Sequence, residues 1–424
     1  MRFIWEFPLI IFLLFSLSFS QSRVKTGDEI FIDTCLNLIK GKNIGIITNQ
    51  SGIVPWSTQS STGDSSGNTG RHIVDILANL PHVKVVALFA PEHGIRGEAS
   101  AGKSISNGID EKTGIPLYSL YGKIVKPTPE MLKGIDVLIY DIQDVGVRFY
   151  TFISTLDLSL EAAAENHIKY IILDRPDMLA ADMVDGPVLD NSLRSFVGIQ
   201  PIPSVYGMTP GELATMINDG HMLKDGVKAD LTVIRMENYN RKMWYDQTGL
   251  MWNKPSPNLP DVNAVEIYPG NVLFEGTNVS EGRGTEHPFE TIGAPFIDSQ
   301  KLVDLLEAQH IPGVKFQPID FTPHAFQWAS SPKYNSQLCH GVSIIVEDRN
   351  IFKPVEMGVT IVWAIHKLFP GDFKFNDSGF DRLCGTKEVR LDLLDGKSPE
   401  EIFAKWEPGL KQFNRFREKY LLYR

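Results

Sequence analysis

Four polar clusters each follow a short apolar run: Asn49-Gln50-Ser51-Gly52, Pro91-Glu92-His93-Gly94, Asp141-Ile142-Gln143-Asp144 and Asp174-Arg175-Pro176. Acids and amides set just after buried strands are placed to meet one ligand, because an open parallel sheet binds beyond the carboxyl ends of its strands. Neighbouring strands lie about 4.8 Å apart. Glu92 and either Asp141 or Asp144 therefore fall within the range of a carboxylate pair working on a glycosidic bond, which needs a proton donor at the leaving oxygen and a stabiliser of an oxocarbenium-like centre. Glu92 stands in a Pro/His-Gly turn rather than at a helix start, with Arg96 four residues on. Asp144 opens Asp-Val-Gly-Val-Arg-Phe-Tyr, where Arg148 and Tyr150 are typical hydrogen-bonding partners of a polar ligand. The competing role for each acid is local: a carboxylate after a strand often caps the next helix or pairs with a nearby Arg.

A further cluster, Glu281-Gly-Arg283-Gly-Thr285-Glu286-His287-Pro288, interleaves charge with glycine, as a loop does when it presents side chains or N–H groups to a polar ligand. An ion-paired turn has the same composition. His93 and His287 are possible metal ligands, but no HExxH or comparable spacing supports them, so no metal and no cofactor is expected. Gly97-Glu-Ala-Ser-Ala-Gly102-Lys103-Ser104 fits the phosphate-binding expression G-x-x-x-x-G-K-[ST], and Val137–Asp141 resembles the strand that carries magnesium beside it. The context is wrong for that chemistry. Such a loop needs a strand directly before it and a helix directly after it, whereas here the apolar run ends at Ala90 and Ile105-Ser-Asn-Gly-Ile-Asp follows.

The elements that would position these residues read as five short, β-branched runs: 43–48, 83–90, 135–140, 169–173 and 231–234. Continuous apolar runs mark strands buried on both faces, hence a parallel sheet. Helical spacing over 71–80 and 155–166 alternates with them, which predicts an α/β, Rossmann-like, doubly wound domain over residues 21–255. Residues 57–70 read as an exposed Ser/Gly/Thr-rich loop, and 252–295, rich in Pro, Gly and Asn, as a long ordered connection. A smaller α+β domain over 256–424 is expected to hold a strand at 341–346, a helix at 355–368 and a last helix opened by the capping box Ser398-Pro-Glu-Glu401. The cleft between the domains is the expected ligand site.

The 424-residue chain has 41 Lys+Arg against 51 Asp+Glu, a formal net charge of −10. That balance argues against a nucleic-acid partner, whose phosphates would require a basic surface. Cys35, Cys339 and Cys384 form neither a disulfide framework nor a zinc pattern. The apolar run 7–19 ends in Ser18-Phe19-Ser20, a signal-peptide pattern with a cut before Gln21, so the protein is expected to be secreted or periplasmic. No later stretch is long and apolar enough to suggest stable membrane insertion after that cut.

Five stretches carry a family resemblance: Gly45-Ile-Ile-Thr-Asn49-Gln50-Ser-Gly, Leu88-Phe-Ala-Pro-Glu92-His93-Gly94-Ile-Arg96-Gly, Thr113-Gly-Ile-Pro-Leu-Tyr-Ser-Leu-Tyr121-Gly, Asp141-Ile-Gln-Asp144-Val-Gly-Val-Arg148-Phe-Tyr150-Thr and Glu281-Gly-Arg283-Gly-Thr-Glu286. In these, and on to the closing 415–423 stretch, the sequence resembles the NamZ-type exo-β-N-acetylmuramidases of glycoside hydrolase family 171. The resemblance implies removal of N-acetylmuramic acid from the non-reducing end of peptidoglycan fragments, in a cleft between a Rossmann-like domain and a smaller one. It makes Glu92 the first candidate acid/base, with Asp141 or Asp144 as nucleophile, base or orienter of the sugar's own 2-acetamido group. Arg96, Arg148 and Arg283 are candidates for the lactyl carboxylate. Asn49, Gln50, His93, Tyr121, Tyr150, Glu286 and His287 complete the expected substrate-binding set. The main alternative is a non-catalytic envelope protein that binds muropeptides or amino sugars, though several uncompensated acids gain an anionic-sugar binder nothing.

Overall fold

The computed structural model describes residues 22–55, 70–97 and 107–424. The expected signal peptide, the polar loop up to residue 69 and the phosphate-loop-like stretch beyond Gly97 lie outside the described residues.

Among the described residues twelve strands follow in chain order: β1 Asn43–Thr48, β2 Ile53–Pro55, β3 Gly70–His72, β4 Lys84–Ala90, β5 Gly108–Ile109, β6 Pro116–Ser119, β7 Val137–Asp141, β8 Lys169–Leu173, β9 Leu231–Ile234, β10 Thr291–Ala294, β11 Val314–Phe321 and β12 Cys339–Val346. The large sheet runs β5-β6-β4-β1-β7-β8-β9. All its pairings are parallel except that of the two-residue edge strand β5 with β6. Counting only its parallel strands, the order is the Rossmann order, with its switch point between β1 and β7, where Thr48 pairs with Asp141.

Alternation along the strands sorts side chains to two faces. Ile44, Ile46, Val137 and Ile139 pack beneath the short helix Ile73–Leu77, whereas Ile47, Leu138 and Tyr140 join the core under helices Phe152–Glu165 and Pro210–Asp219. Gly45 faces that second core, where an added Cβ would lie 2.8 Å from Leu138. The sheet is thus covered on both sides, as its unbroken apolar runs require.

Several expected elements differ. The helix read over 71–80 is shorter, because β3 pairs with β2 as a hairpin and the His72 ring then accepts from the Val74 amide, capping Ile73–Leu77. The connection 252–295 contains a helix, Val262–Asn271, capped by Asp261 and carrying Pro269. Its Gly270 meets Gly358 of helix Pro354–Leu368 so closely that a Cβ on Gly358 would lie 2.4 Å from the Gly270 carbonyl oxygen. Pro269 and Gly270, which read as loop punctuation, thus lie at a helix crossing.

In the smaller domain β10-β12-β11 form an antiparallel sheet. The Ser398/Glu401 capping box opens helix Pro399–Arg417 as expected. The chain then returns to the first domain. The Tyr423 hydroxyl donates to Asp174 at 2.6 Å, and Glu212 accepts from the Leu422 and Tyr423 amides. Among the described residues no helix is long and apolar enough to cross a membrane.

Candidate active site

Glu92 is positioned by a sharp turn at the end of β4. His93 (φ 74°) and Gly94 (φ 85°) are both left-handed, and the Gly94 amide donates to the Pro91 carbonyl at 3.2 Å. A buried non-glycine residue in that region is strained. The strain redirects the chain just where Glu92 leaves the sheet, and leaves Glu92 half-buried. The Thr151 hydroxyl donates to Glu92 Oε2 at 2.8 Å. The Tyr121 hydroxyl is a second donor, and burial together with the Glu92 charge holds Tyr121 well above the ordinary tyrosine range.

Aromatic rings surround this carboxylate. Tyr150 stacks edge-on with Phe152 and Tyr268, and Tyr268 with Phe289. The Tyr150 hydroxyl is buried with no hydrogen-bond partner among the described residues. Burial raises Tyr150 far above the usual range, and the charges of Glu92 and Asp144 add to the effect. Arg283 stacks on Phe289 and donates twice to Glu275, at 2.7 and 3.1 Å. Glu281, 3.7 Å from Arg283, is also bound by Lys333 at 2.8 Å. The loop around Arg283 is therefore an ion-paired turn that also brings a cation near Tyr150 and Tyr268. Glu286 and His287, at the end of the same loop, are exposed, and His287 pairs with Glu290 at 3.6 Å.

The two aspartates occupy different surroundings. Asp141 is fully buried and takes both ends of the Arg175 fork, at 2.6 and 3.1 Å, while Arg175 also reaches Asp28 at 2.7 Å. This triad ties β7 to β8 and to the helix Gly27–Ile30. Asp144 is 2% exposed and accepts from the Tyr206 hydroxyl and, at 2.9 Å, from the Gly146 amide. Its other oxygen has no partner among the described residues, and burial raises its carboxyl to about 6. A Cβ added at Gly146 would collide with Asp177 Oδ1, and the other Asp177 oxygen is buried with no partner among the described residues.

Of the remaining expected residues, Arg96 is held by Asp75 and Asp110 through four hydrogen bonds. Arg148 is fully buried against carbonyls of the second domain. The Asn49 carboxamide oxygen binds Ser51, and Gln50 reaches across to the Pro255 carbonyl while Asn253 binds the Gln50 carbonyl. That crossing closes one wall of a cavity of about 650 Å³ at the switch point, lined among others by Gln50, Ser51, Arg96, Gln143, Arg175 and Trp252. Glu92 is outside its described wall, four residues from Arg96. Among the described residues no group of three or more His, Cys, Asp or Glu is placed to hold a metal. Tyr268 and Glu275 are the site's unforeseen members, and Thr151 and Arg175, though they stand in motifs read from the sequence, take roles that the sequence did not assign. Thr151 adjoins the Arg148-Phe-Tyr150 stretch, so its place in the sequence pointed to it; nothing in the sequence paired Arg175 with Asp141.

Residues 44–263 match the family model of the N-terminal part of the exo-β-N-acetylmuramidase NamZ, and residues 266–423 match that of its C-terminal part. The chain belongs to the NamZ family. A NamZ relative from Bacillus subtilis, a peptidoglycan β-N-acetylmuramidase, is 46% identical over 404 residues, spanning 95% of this chain and 92% of that one. Two crystal structures of DUF1343-family proteins from Bacteroides fragilis are similar throughout. One has a TM-score of 0.84 at 36% identity and the other 0.77 at 37%, each with 95% of this chain and 99% of the other covered. The family matches and the similar crystal structures extend over both domains of the chain.

Proposed function

We propose that this protein is an exo-acting glycosidase that releases N-acetylmuramic acid from the non-reducing end of peptidoglycan fragments. Membership of the exo-β-N-acetylmuramidase family supports the reaction. The observation that carries the mechanism is the contrast among the three acids: Glu92 is half-buried and held by neutral hydroxyl donors, Asp141 is locked to Arg175, and Asp144 is sealed under Tyr206.

Glu92 is the acid that protonates the leaving oxygen. Thr151 and Tyr121 orient it through hydrogen bonds from their hydroxyls. With Asp141 paired to Arg175 and Asp144 buried beneath Tyr206, the sugar's own 2-acetamido oxygen is the nucleophile of this reading at the anomeric carbon. The acetamido C=O attacks as the bond to the leaving oxygen breaks and Glu92 delivers its proton. Water, deprotonated by the same Glu92, then opens the cyclic intermediate and restores the acid. The cavity beside Arg96 has the volume for sugar rings. Arg283, whose charge acts on Tyr150 and Tyr268, is a candidate cation for the lactyl carboxylate. We assign residues 1–20 to a signal peptide and the mature enzyme to the envelope or exterior, where its polymer substrate lies.

The test is mass spectrometry of peptidoglycan digests incubated with residues 21–424. Free N-acetylmuramic acid, with fragments shortened by one terminal residue, supports the assignment. Fragments bound but uncut by folded protein would favour a non-catalytic binder instead.

A further inference from the structure

Arg148 is a guanidinium with no exposed surface and, among the described residues, no carboxylate in an ion pair with it. Its Nη2 lies 3.0 Å from the Leu383 and Cys384 carbonyls and 3.3 Å from Ser204 Oγ, while Nε and Nη1 are buried without partners. Burying a charge on such terms is costly. The two carbonyls end the helix Asp377–Cys384 of the second domain, where carbonyls lack helical partners and the helix dipole is negative. Gly385 caps that helix at φ 85°, and a Cβ there would lie 2.5 Å from Nη2. The second domain has thus left room for this one side chain.

What Arg148 holds is the start of the Glu92 shell. Its own amide donates to the Ser204 carbonyl at 2.8 Å, the Tyr150 amide returns to the Val147 carbonyl, and Thr151, three residues on, hydrogen-bonds Glu92. We propose that Arg148 is a positioning residue: by clamping segment 147–151 to the end of the helix in the second domain, it keeps the Thr151 hydroxyl and the Tyr150 ring against Glu92. The inference rests on Glu92 as the acid/base. It makes turnover depend on docking between domains, with no contact between Arg148 and the sugar.

A double-mutant cycle separates this from a merely structural role. Arg148→Lys keeps the charge but not the planar fork. Thr151→Ala removes the donor to Glu92. Each single change should lower kcat about tenfold, the size expected for a lost hydrogen bond to a charged group, with KM nearly unchanged. The double variant should fall no further than about threefold below Thr151→Ala alone, because both act on one hydrogen bond. A hundredfold loss in the double variant, or a change confined to KM, overturns the proposal. Gly385→Ala, which crowds the guanidinium from the other domain, replaces Arg148→Lys in the cycle if that variant fails to fold. Hydrogen exchange supplies a readout independent of turnover. Amides 150–155 should exchange faster in Arg148→Lys while β1 and β4 keep their protection, and unchanged exchange at 150–155 would sink the clamp. Absence of any glycosidase activity in the wild type would refute Glu92's role, and the exchange result would still decide the clamp.

Discussion

Replacing Asp144 by Asn tests whether this carboxylate is a buried structural acid or a partner in the chemistry. Its burial raises the carboxyl to about 6 in the folded protein, against about 3.9 in an unfolded chain. The folded state therefore binds the proton more tightly, so stability falls as pH rises from about 4 to about 6 and is flat above that. At about 1.4 kcal/mol per pKa unit, ionising Asp144 costs the native state ~3 kcal/mol at neutral pH. The carboxamide of Asp144→Asn would keep the shape and still accept from Tyr206 and Gly146, with no charge to bury. It would also relieve Asp177, whose carboxyl the Asp144 charge pushes up. Urea unfolding of both proteins across pH 4 to 8 reads the effect of Asp144 together with the relief of Asp177, because the remaining buried acids are common to both. The stability of Asp144→Asn relative to wild type should climb through pH 4 to 6 by up to ~3 kcal/mol and then level off, with kcat retained to within about tenfold. A difference that is flat with pH refutes the electrostatic argument. A loss of kcat of about a hundredfold or more at full stability would make Asp144 a catalytic carboxylate and overturn the acetamido mechanism.

Three other outcomes follow from the packing. Arg175→Met strands Asp28 and Asp141 as buried unpaired carboxylates and should destabilise by about 3–5 kcal/mol at pH 7, less at pH 4, measured by urea unfolding. Tyr423→Phe removes a donor from buried Asp174, which keeps Thr209 and the Gly211 amide, and should cost about 1–3 kcal/mol in the same assay without altering KM. Gly358→Ala forces a methyl against the Gly270 backbone, which cannot yield as a side chain would, and should lower thermal stability by at least about 1–3 kcal/mol; an unchanged melting temperature would contradict the helix crossing described.

The parallel strands were legible because burial on both faces demands continuous apolar runs, and β1, β8 and β9 begin and end where those runs do. The polar clusters after them were legible for the same reason: solvent and ligand reach only the strand ends. Helix Val262–Asn271 was not, because Pro269 and Gly270 carry a loop signal whose purpose, a close crossing with Gly358, lies far along the chain. Helix Pro210–Asp219 was missed, although the Thr209/Glu212 capping box that opens it is a start signal in the sequence. In the site, the turn after the second long apolar run pointed to Glu92, and Tyr121 came only from the family resemblance. Neither revealed that Arg175 occupies Asp141, that Asp75 and Asp110 occupy Arg96, or that Arg148 turns away to Cys384, since each partner comes from another element of the fold.

The most direct test of the central claim is to assay wild type and Glu92→Gln, as residues 21–424, on chromogenic β-glycosides of N-acetylmuramic acid and of N-acetylglucosamine. Wild type should cleave the muramic acid compound selectively. Glu92→Gln, folded and still binding that compound, should lose about a hundred- to ten-thousandfold in kcat. Turnover in Glu92→Gln close to the wild-type rate would contradict the account.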